Sequence, residues 1–590
     1  MEDRTWPSLP AMFWDMVDRH GGKPFLWAKR EGVYRPISWA EARGRVSALA
    51  RGLRKLGIER GDRVALISEN RPEWTLADLA IMAAGAISVP GYVTSTVEDH
   101  RHIFANSGAK ALIVSTPSLA HRVMLAADQV SSIQSIITME PVTTGQTSHI
   151  EVYHWDAVLL RDAQGDDDIK ALIQELVPDD IACLSYTSGT GGVPKGVMTT
   201  HANIFANCHG ARRLLEEIGL GEEVFLCFLP LSHSYEHTGG QMFPISLGAQ
   251  IYFAESAETL AANMIEARPT IMTAVPRLYE ALHQRITRAL EREGGMRARL
   301  FALALRLGTK RLADPGSLTL LERLQDLVVD RLVRRKVRAR FGGRLVAACS
   351  GGARLEPDVG RFFLALGLLV MQGYGQTEAG PVISANPPDA IRIDSVGRVL
   401  QGVELRLAED GEILVRGDLV MAGYWGLPDA TAMAIRDGWL HTGDIGTVDD
   451  DGYLRITDRK KDMIVLSGGE NVSPAKIEGM LMAQPEISQA VLAGDGRSSL
   501  TALVVPADGH DDVSAALAVS RVNLRLSVTE RIRKHAVVAP FTVENGLLTP
   551  TQKIRRLLVT QRVRTHATVT VIAMESSSDT IAKSSGTMNT

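Results

Sequence analysis

The sequence predicts an α/β protein in two parts: a large N-terminal domain of helix-covered sheets that ends in a β-rich subdomain, and a small, mobile α+β C-terminal domain. Three observations lead there. The chain has 590 residues, more than one compact core usually holds. From Arg63 to Gln372, short apolar runs of strand character alternate with helical stretches, the pattern of sheets covered by helices. From Gly397 onward the pattern turns to short strands separated by Gly and Asp turns.

Residues 39–56 repeat apolar side chains at helical spacing, and Gly57 is placed to end that helix. The run 63–68 reads as a strand, 74–84 as a helix and 87–90 as the next strand. Further short strands fall at 111–114, 181–184, 224–229, 271–275, 345–350 and 368–372. Residues 279–341 differ, because Leu, Ala and Arg recur there at helical spacing with few strand signals, so this stretch reads as a helical insertion. Its end, Arg334-Arg-Lys-Val-Arg-Ala-Arg340, is strongly basic. A solvated helix face is the ordinary reading of such a run, with anionic lipid or CoA phosphates as the alternative contact. Strands at 403–407, 411–416 and 453–456 make the β-rich subdomain of residues 397–457, with a boundary near Thr457-Asp458. The large domain is thus 1–457. In the small domain, 458–565, strands at 463–466, 490–492 and 500–505 alternate with helices, and Ser473-Pro474 supplies an N-cap followed by proline at the first helical position. The tail, 566–590, ends polar and low in complexity and is expected to be unstructured.

Composition is that of a soluble globular protein, with 45% hydrophobic and 22% charged residues. A net charge of -4 predicts no general attraction to nucleic acid. Four cysteines (Cys183, Cys208, Cys227, Cys349) lack metal-type spacing and read as reduced thiols, three of them in apolar strands, as suits a cytoplasmic protein. The N-terminus has no basic-then-apolar signal pattern. The longest apolar run, 362–371, is about half the ~20 residues a spanning helix needs, which leaves room for peripheral membrane contact but not for an integral span.

The stretch from Tyr186 to Gly196 reads Tyr-Thr-Ser-Gly-Thr-Gly-Gly-Val-Pro-Lys-Gly. It suits the wrapping of nucleotide phosphates. Gly189 and Gly191 let backbone N–H groups approach an anion, Thr187, Ser188 and Thr190 add hydroxyl donors, and Lys195 adds a positive charge. It is not a Walker loop, because no Gly-Lys-Ser/Thr follows at the required spacing. Seven further motifs follow in order: Leu229-Pro-Leu-Ser-His-Ser-Tyr-Glu-His237, Ser350-Gly-Gly-Ala353, Gln372-Gly-Tyr-Gly-Gln-Thr-Glu378, His441-Thr-Gly-Asp444, Asp458-Arg-Lys-Lys-Asp462, Ser467-Gly-Gly-Glu-Asn471 and Asn545-Gly-Leu-Leu-Thr-Pro-Thr-Gln-Lys-Ile554.

These motifs, over nearly the whole chain, resemble those of AMP-forming acyl-CoA synthetases within the adenylate-forming superfamily. Leu-Pro-Leu-Ser-His, the helical insertion and Asn-Gly-Leu-Leu-Thr-Pro-Thr resemble the long-chain fatty acyl branch. The resemblance implies ATP-dependent activation of a fatty acid to acyl-AMP with release of pyrophosphate, then transfer to CoA with release of AMP. Two anions meet in the first step, so cations must screen them. Lys553 resembles the lysine that bridges carboxylate and α-phosphate. Glu378 resembles a Mg²⁺ ligand, Thr377 an α-phosphate contact, Asp444 the ribose acceptor, and Arg459 a cation beside ribose and phosphate. Gly352 and Ala353 are small enough for adenine to lie against backbone, with Gln372, Gly373 and Gly375 forming the same nucleotide motif and Tyr374 offering a stacking face. His233 resembles the residue that orients or gates the carboxylate. Lys461 matches a pivot for rotation of the small domain, and Gly468 and Gly469 would lie beside CoA.

Gly191 stands where the family usually has threonine, a change worth about 0.5–1.5 kcal/mol if one neutral hydrogen bond is lost. Arg354 replaces a common proline. Met242, Phe243 and the helical insertion are candidate linings of an acyl tunnel. An alternative reading is an adenylate-forming enzyme that passes its acyl group to a carrier protein or oxidises it. A remote one is a zinc hydrolase, because His233, Glu236 and His237 formally match an inverted zinc-protease pattern. Acyl length and oligomeric state are not legible.

Overall fold

The computed structural model describes residues 5–143, 150–159, 165–187, 193–314, 316–467, 470–549, 552–565 and 572–573. Two large sheets dominate. In the nine-stranded sheet, the strands Val370–Tyr374, Ala347–Ser350, Ile271–Ala274, Val224–Cys227, Gln250–Phe253 and Pro24–Arg30 lie side by side, all parallel. The short strands Ser384–Ala385 and Arg398–Val399 close one edge antiparallel, and Val33–Ser38 closes the other. The eight-stranded sheet runs Gly423–Tyr424, Lys195–Thr200, Ile181–Thr187, Ile87–Gly91, Arg63–Ile67, Ala111–Val114, Ser135–Thr138 and Glu151–His154.

Helices fill the space between these sheets, and their sequences show it. The helix Pro72–Ala83 buries every residue except Glu73, because it has neighbours on all sides rather than one. Its Trp74 and Leu76 share a core with Val64 and Leu66 of one sheet and Phe225 and Ile271 of the other. This helix begins two residues before the expected 74–84, since Pro72 supplies a fixed φ at the first helical turn. The helix Trp39–Lys55 is capped by Ser38, whose hydroxyl accepts from the Glu41 N–H. The four cysteines are unpaired thiols.

The insertion is helical as expected, over Pro276–Glu293, Gly295–Ala313, Leu320–Val329 and Arg335–Arg340, with a wider π turn at Asp330–Arg334. One part of its basic end corrects the expectation of a solvated run. Arg334 is fully buried, its Nε donating to Ala365 O at 2.9 Å and its Nη2 lying 2.7 Å from Asp326 Oδ1.

The β-rich region is a five-stranded sheet of Glu404–Leu407, Glu412–Arg416, Ile435–Arg436, Trp439–Val448 and Leu454–Arg459. Its last strand runs through Thr457 and Asp458 to Arg459, and the turn at Lys460 to Asp462 follows. The C-terminal region packs the helices Pro474–Met482 and Asp512–Asn523 on a sheet of Ile487–Ala493, Leu500–Pro506, Ile532–Val537 and Ile572–Ala573. Ser473 caps the first of these helices and Pro474 opens it. The strand Ile572–Ala573 falls inside the segment expected to be unstructured. Its β-branched surroundings in sequence (Thr568 to Ile572) suit a strand, and it pairs antiparallel with Ile532–Val537. The rest of 566–590 lies outside the described residues.

Candidate active site

A cleft of about 850 Å³ lies where parallel strands of the nine-stranded sheet end, the usual ligand position in α/β proteins. His233 follows the strand Val224–Cys227, Gly351 and Gly352 follow Ala347–Ser350, and Gly375 to Glu378 follow Val370–Tyr374. Thr187 and Lys195, paired across a hairpin of the other sheet, face the same cleft. Asp444 and Arg459 come from adjacent strands of the β-rich sheet, and Lys553 comes from the C-terminal region. Sequence positions spread from Thr187 to Lys553 therefore converge on one cavity.

The side chains are held by one another. Tyr374 donates to Asp444 Oδ2 at 2.7 Å, and Arg459 Nε lies 3.0 Å from Asp444 Oδ1. Burial and the adjacent Asp444 carboxylate push the Tyr374 hydroxyl well above its ordinary pKa, so it stays a donor. Burial opposes the Arg459 charge, yet Asp444 and Asp462 raise its pKa above the ordinary value. Thr377 Oγ1 lies 3.0 Å from Ser234 Oγ. Tyr424 donates to Glu378 Oε1 at 2.9 Å, and its ring carries Lys195 Nζ at 4.7 Å from the centroid, so one phenol ties an acid and a base on the same wall.

Lys553 is exposed into the cleft, and its loop is tied back on itself. Its N–H donates to Thr549 Oγ1 at 2.9 Å, and its carbonyl accepts from the Thr549 N–H at 2.8 Å. The protein mass around it lowers the Lys553 pKa, and Arg459 adds to this, against the pull of Asp444 and Glu378. The preceding residue, Gln552, reaches out of the C-terminal region and accepts a hydrogen bond from Arg277 Nη1.

His233 projects into the cleft beside the ring of Tyr92 and accepts from the Tyr235 N–H at Nδ1. Burial, and then Lys553, lowers its pKa to about 4, so it is a neutral imidazole near neutral pH. The zinc reading fails on geometry. His237 turns away from the cleft to Asp78, 2.8 Å from Nε2, in a buried network with Gln241 and Thr75. Glu236 is fully buried, accepting from Thr273 Oγ1 at 2.5 Å and from the Phe228 N–H at 3.3 Å. Burial raises its pKa to about 7, against those hydrogen bonds. The backbone between the two histidines is one α turn, Ser234–Glu236, with the His237 N–H donating to His233 O at 2.9 Å, yet the imidazoles part, His233 into the cleft and His237 into the buried network.

Two glycines show why the motifs take no side chain. Gly352 has φ +81°, and a Cβ on Gly375 would lie 1.9 Å from Pro381 O. Gly373 and Lys461 also face the cleft. Gln372 does not reach it through its amide: the side chain is buried, accepting from Leu355 N–H at 2.7 Å and donating to Ser395 O at 3.1 Å. It braces the turn beneath the cleft, and Ala353 lies beyond the lining. Ser188, Gly189, Thr190 and Gly191, and likewise Gly468 and Gly469, lie outside the described residues. Ala211, Leu215, Phe225, Phe243, Ile271 and Met371 supply the apolar part of the lining. Met242 is buried in the core instead, and among the described residues none of the insertion helices lines the cleft. Sequence reasoning missed Ser234, Tyr235 and Tyr424. The first two sit inside the quoted motif around His233, and Tyr424 lies in an unread Gly423-Tyr-Trp425 triplet.

Against known families, residues 13–425 match the model described as AMP-binding enzyme, and residues 461–565 match the AMP-binding enzyme C-terminal domain. The chain is 35% identical over 559 residues to the long-chain-fatty-acid–CoA ligase FadD15 of Mycobacterium bovis, covering 89% of this chain and 90% of that one. It is 31% identical to the peroxisomal long chain acyl-CoA synthetase 6 of Arabidopsis thaliana, covering 89% and 80%. Among solved structures, the A domain of the carboxylic acid reductase of Segniliparus rugosus, in complex with AMP and a co-purified carboxylic acid, superposes with TM-score 0.74 at 21% identity, over 95% of this chain and 94% of that one.

Proposed function

The chain belongs to the AMP-binding enzyme family, as an adenylate-forming acyl-CoA synthetase, and on that premise we propose that it is a long-chain fatty acid–CoA ligase. A carboxylate oxygen of the acid bonds to the α-phosphorus of ATP, and the bond to pyrophosphate breaks. The CoA sulfur then bonds to the acyl carbon, the acyl–phosphate bond breaks, and AMP leaves.

The residues fit these steps. Lys553, a cation reaching into the cleft, screens the two anions that meet in the first step. Thr377 holds the α-phosphate by its hydroxyl. Asp444 takes the ribose hydroxyls, fixed for that by Tyr374 and Arg459. Neutral His233 orients the carboxylate without binding it as a salt. The Thr187–Lys195 loop, including Ser188, Gly189, Thr190 and Gly191, wraps the outer phosphates, and Gly352, Gly373 and Gly375 border the adenine. Glu378 is a single carboxylate beside the phosphate loop, a donor set suited to Mg²⁺, which prefers oxygen and keeps several waters or phosphate oxygens. When bound, the ion neutralises phosphate charge. The apolar lining from Phe225, Phe243 and Met371 receives the acyl chain. Because the same cleft must admit Lys553 first and a thiol later, we assign a large domain and a small one that turns about Lys461 between half-reactions, bringing Gly468 and Gly469 to CoA. The boundary we propose lies just past Arg459 rather than at the expected 457/458, since Asp458 and Arg459 pair with Ile445 and Asp444 in the β-rich sheet. Cytoplasmic residence with peripheral membrane contact suits such a substrate. No helix among the described residues is long and apolar enough to cross a membrane.

The convergence of Lys553 with Thr377, Glu378, Asp444 and His233 on one cavity carries this reading. Its test is pyrophosphate release over a panel of acids, followed by loss of free thiol on adding CoA. Release driven by long-chain acids with thiol consumption is expected. Release without thiol loss would instead mark transfer to a carrier protein, and no acid-dependent release would end the proposal.

A further inference from the structure

The helix Leu320–Val329 of the insertion is mounted with its charged side toward the protein. Glu322 lies 2.7 Å from Lys310, and Asp326 lies 2.9 Å from Arg311 and 2.7 Å from the buried Arg334. Val329 joins Ala304, Leu307 and Leu318 in a small core. The apolar side faces solvent: Leu320, Leu321, Leu324, Leu327 and Val328, then Leu332, with Leu320 81% and Leu327 70% exposed. The spacing of the first five puts them on one helix face. A helix on a globular domain ordinarily turns such a face inward. Here the inward anchors are the acids, and the leucines are left without cover among the described residues.

Next to this stripe lies a basic end. The π turn at Asp330–Arg334 keeps Arg334 inward while Arg331, Arg335, Lys336 and Arg340 are exposed. Among the described residues no ion pair engages those four. From Arg277 to Arg344 the sequence holds seventeen Lys and Arg against seven Asp and Glu, in a chain of net charge -4. The positive charge is therefore local to the insertion.

We propose that this face docks on an anionic lipid membrane, with the leucine stripe in the acyl boundary and the arginines against headgroup phosphates. A second copy of the chain is the poorer occupant, because it would bring the same excess of positive charge to the pairing, whereas an anionic surface neutralises it. The geometry of the face stands alone. Its use, collecting an acid dissolved in the bilayer, rests on the fatty acid reading above.

The full chain is to be sedimented with phosphatidylcholine vesicles, with and without phosphatidylglycerol, at low and high salt. Binding is expected to favour the anionic vesicles and to weaken with salt. Leu324→Gln/Leu327→Gln lowers the bound-to-free ratio by about tenfold or more. Arg331→Gln/Arg335→Gln/Lys336→Gln removes the preference for phosphatidylglycerol. Both variants keep wild-type pyrophosphate release with decanoate, since these residues lie outside the cleft. Absence of vesicle binding with that release intact overturns the docking surface and leaves the enzymatic reading standing, whereas wild-type protein without acid-dependent release fails the enzymatic reading alone. Equal binding by wild type and the leucine variant, or a dimer that the leucine variant turns monomeric, also overturns the proposal.

Discussion

On one wall of the cleft, Tyr374, Asp444 and Arg459 are locked together at 2.7 and 3.0 Å, and Glu378 and Lys195 share Tyr424. Across from them, Lys553 hangs on a loop that is closed mainly on itself, at Thr549, and touches the large domain through Gln552 and Arg277. The first wall is pre-organised by strands and hydrogen bonds before any ligand arrives. The second is placed by a contact between exposed side chains. A binding wall gains from rigidity, whereas a group needed in one half-reaction and obstructive in the next gains from being easily withdrawn.

The largest expected effect removes the movable side. Lys553→Ala should slow acyl-adenylate formation by about 10²–10³, the scale of losing one charge-stabilising group. Thiolysis of supplied acyl-AMP should change only a few-fold. Separate single-turnover measurements of the two half-reactions check this, and equal losses would show that the lysine belongs to both walls.

A second experiment sharpens the idea that the fixed wall is pre-organised under His233. Glu236 has its folded-state pKa raised from 4.5 to about 7 by burial. Below about 4.5 it is protonated in both states and costs nothing. As pH rises toward 7 and above, the unfolded chain ionises more readily, and about 3 kcal/mol of stability is lost. Glu236→Gln cannot ionise, so the difference in unfolding free energy between the two proteins should grow with pH over that window. A constant difference would mean that Glu236 is ionised in the folded protein.

Much of this was legible in sequence because the nucleotide groups sit at strand ends that carry short, distinctive motifs. The alternation of apolar runs gave the parallel sheets, and Ser473-Pro474 marked its helix start to the residue. Strand ends were less legible: the strand from Ile181 continues to Thr187, because polar Ser185 and Thr187 are held by hairpin pairing to Val197 and Lys195 rather than by apolar character. The tertiary use of a side chain was least legible. Gln372 and Tyr374 are two residues apart in one motif, yet one braces backbone and the other faces the cleft. The outward turn of the leucine stripe at Leu320 to Val328 was not legible, because periodicity reports that a face is apolar and says nothing of which way it points.

On the fixed wall, Tyr424→Phe removes the hydroxyl that Glu378 accepts and keeps the ring beneath Lys195. One lost hydrogen bond to a charged group predicts roughly a tenfold rise in KM for ATP–Mg²⁺, with smaller change in kcat. Steady-state kinetics at varied Mg²⁺ reads it, and an unchanged KM would place Glu378 outside phosphate and metal binding.

The smallest effect tests the hinge side most directly. Arg277, in the first turn of the helix Pro276–Glu293, donates to Gln552, next to Lys553, without itself lining the cleft. Both partners are exposed, so the contact is worth about 1 kcal/mol or less. Arg277→Ala should therefore slow adenylation only about two- to fivefold, by lowering the share of molecules with Lys553 in place. Thiolysis of supplied acyl-AMP should hold steady or rise slightly, since that half-reaction needs the loop withdrawn. A structural weakening of the large domain would depress both half-reactions together. Opposite signs in the two rates are thus the signature of a placing contact, and Gln552→Ala should reproduce them from the other side of the bond.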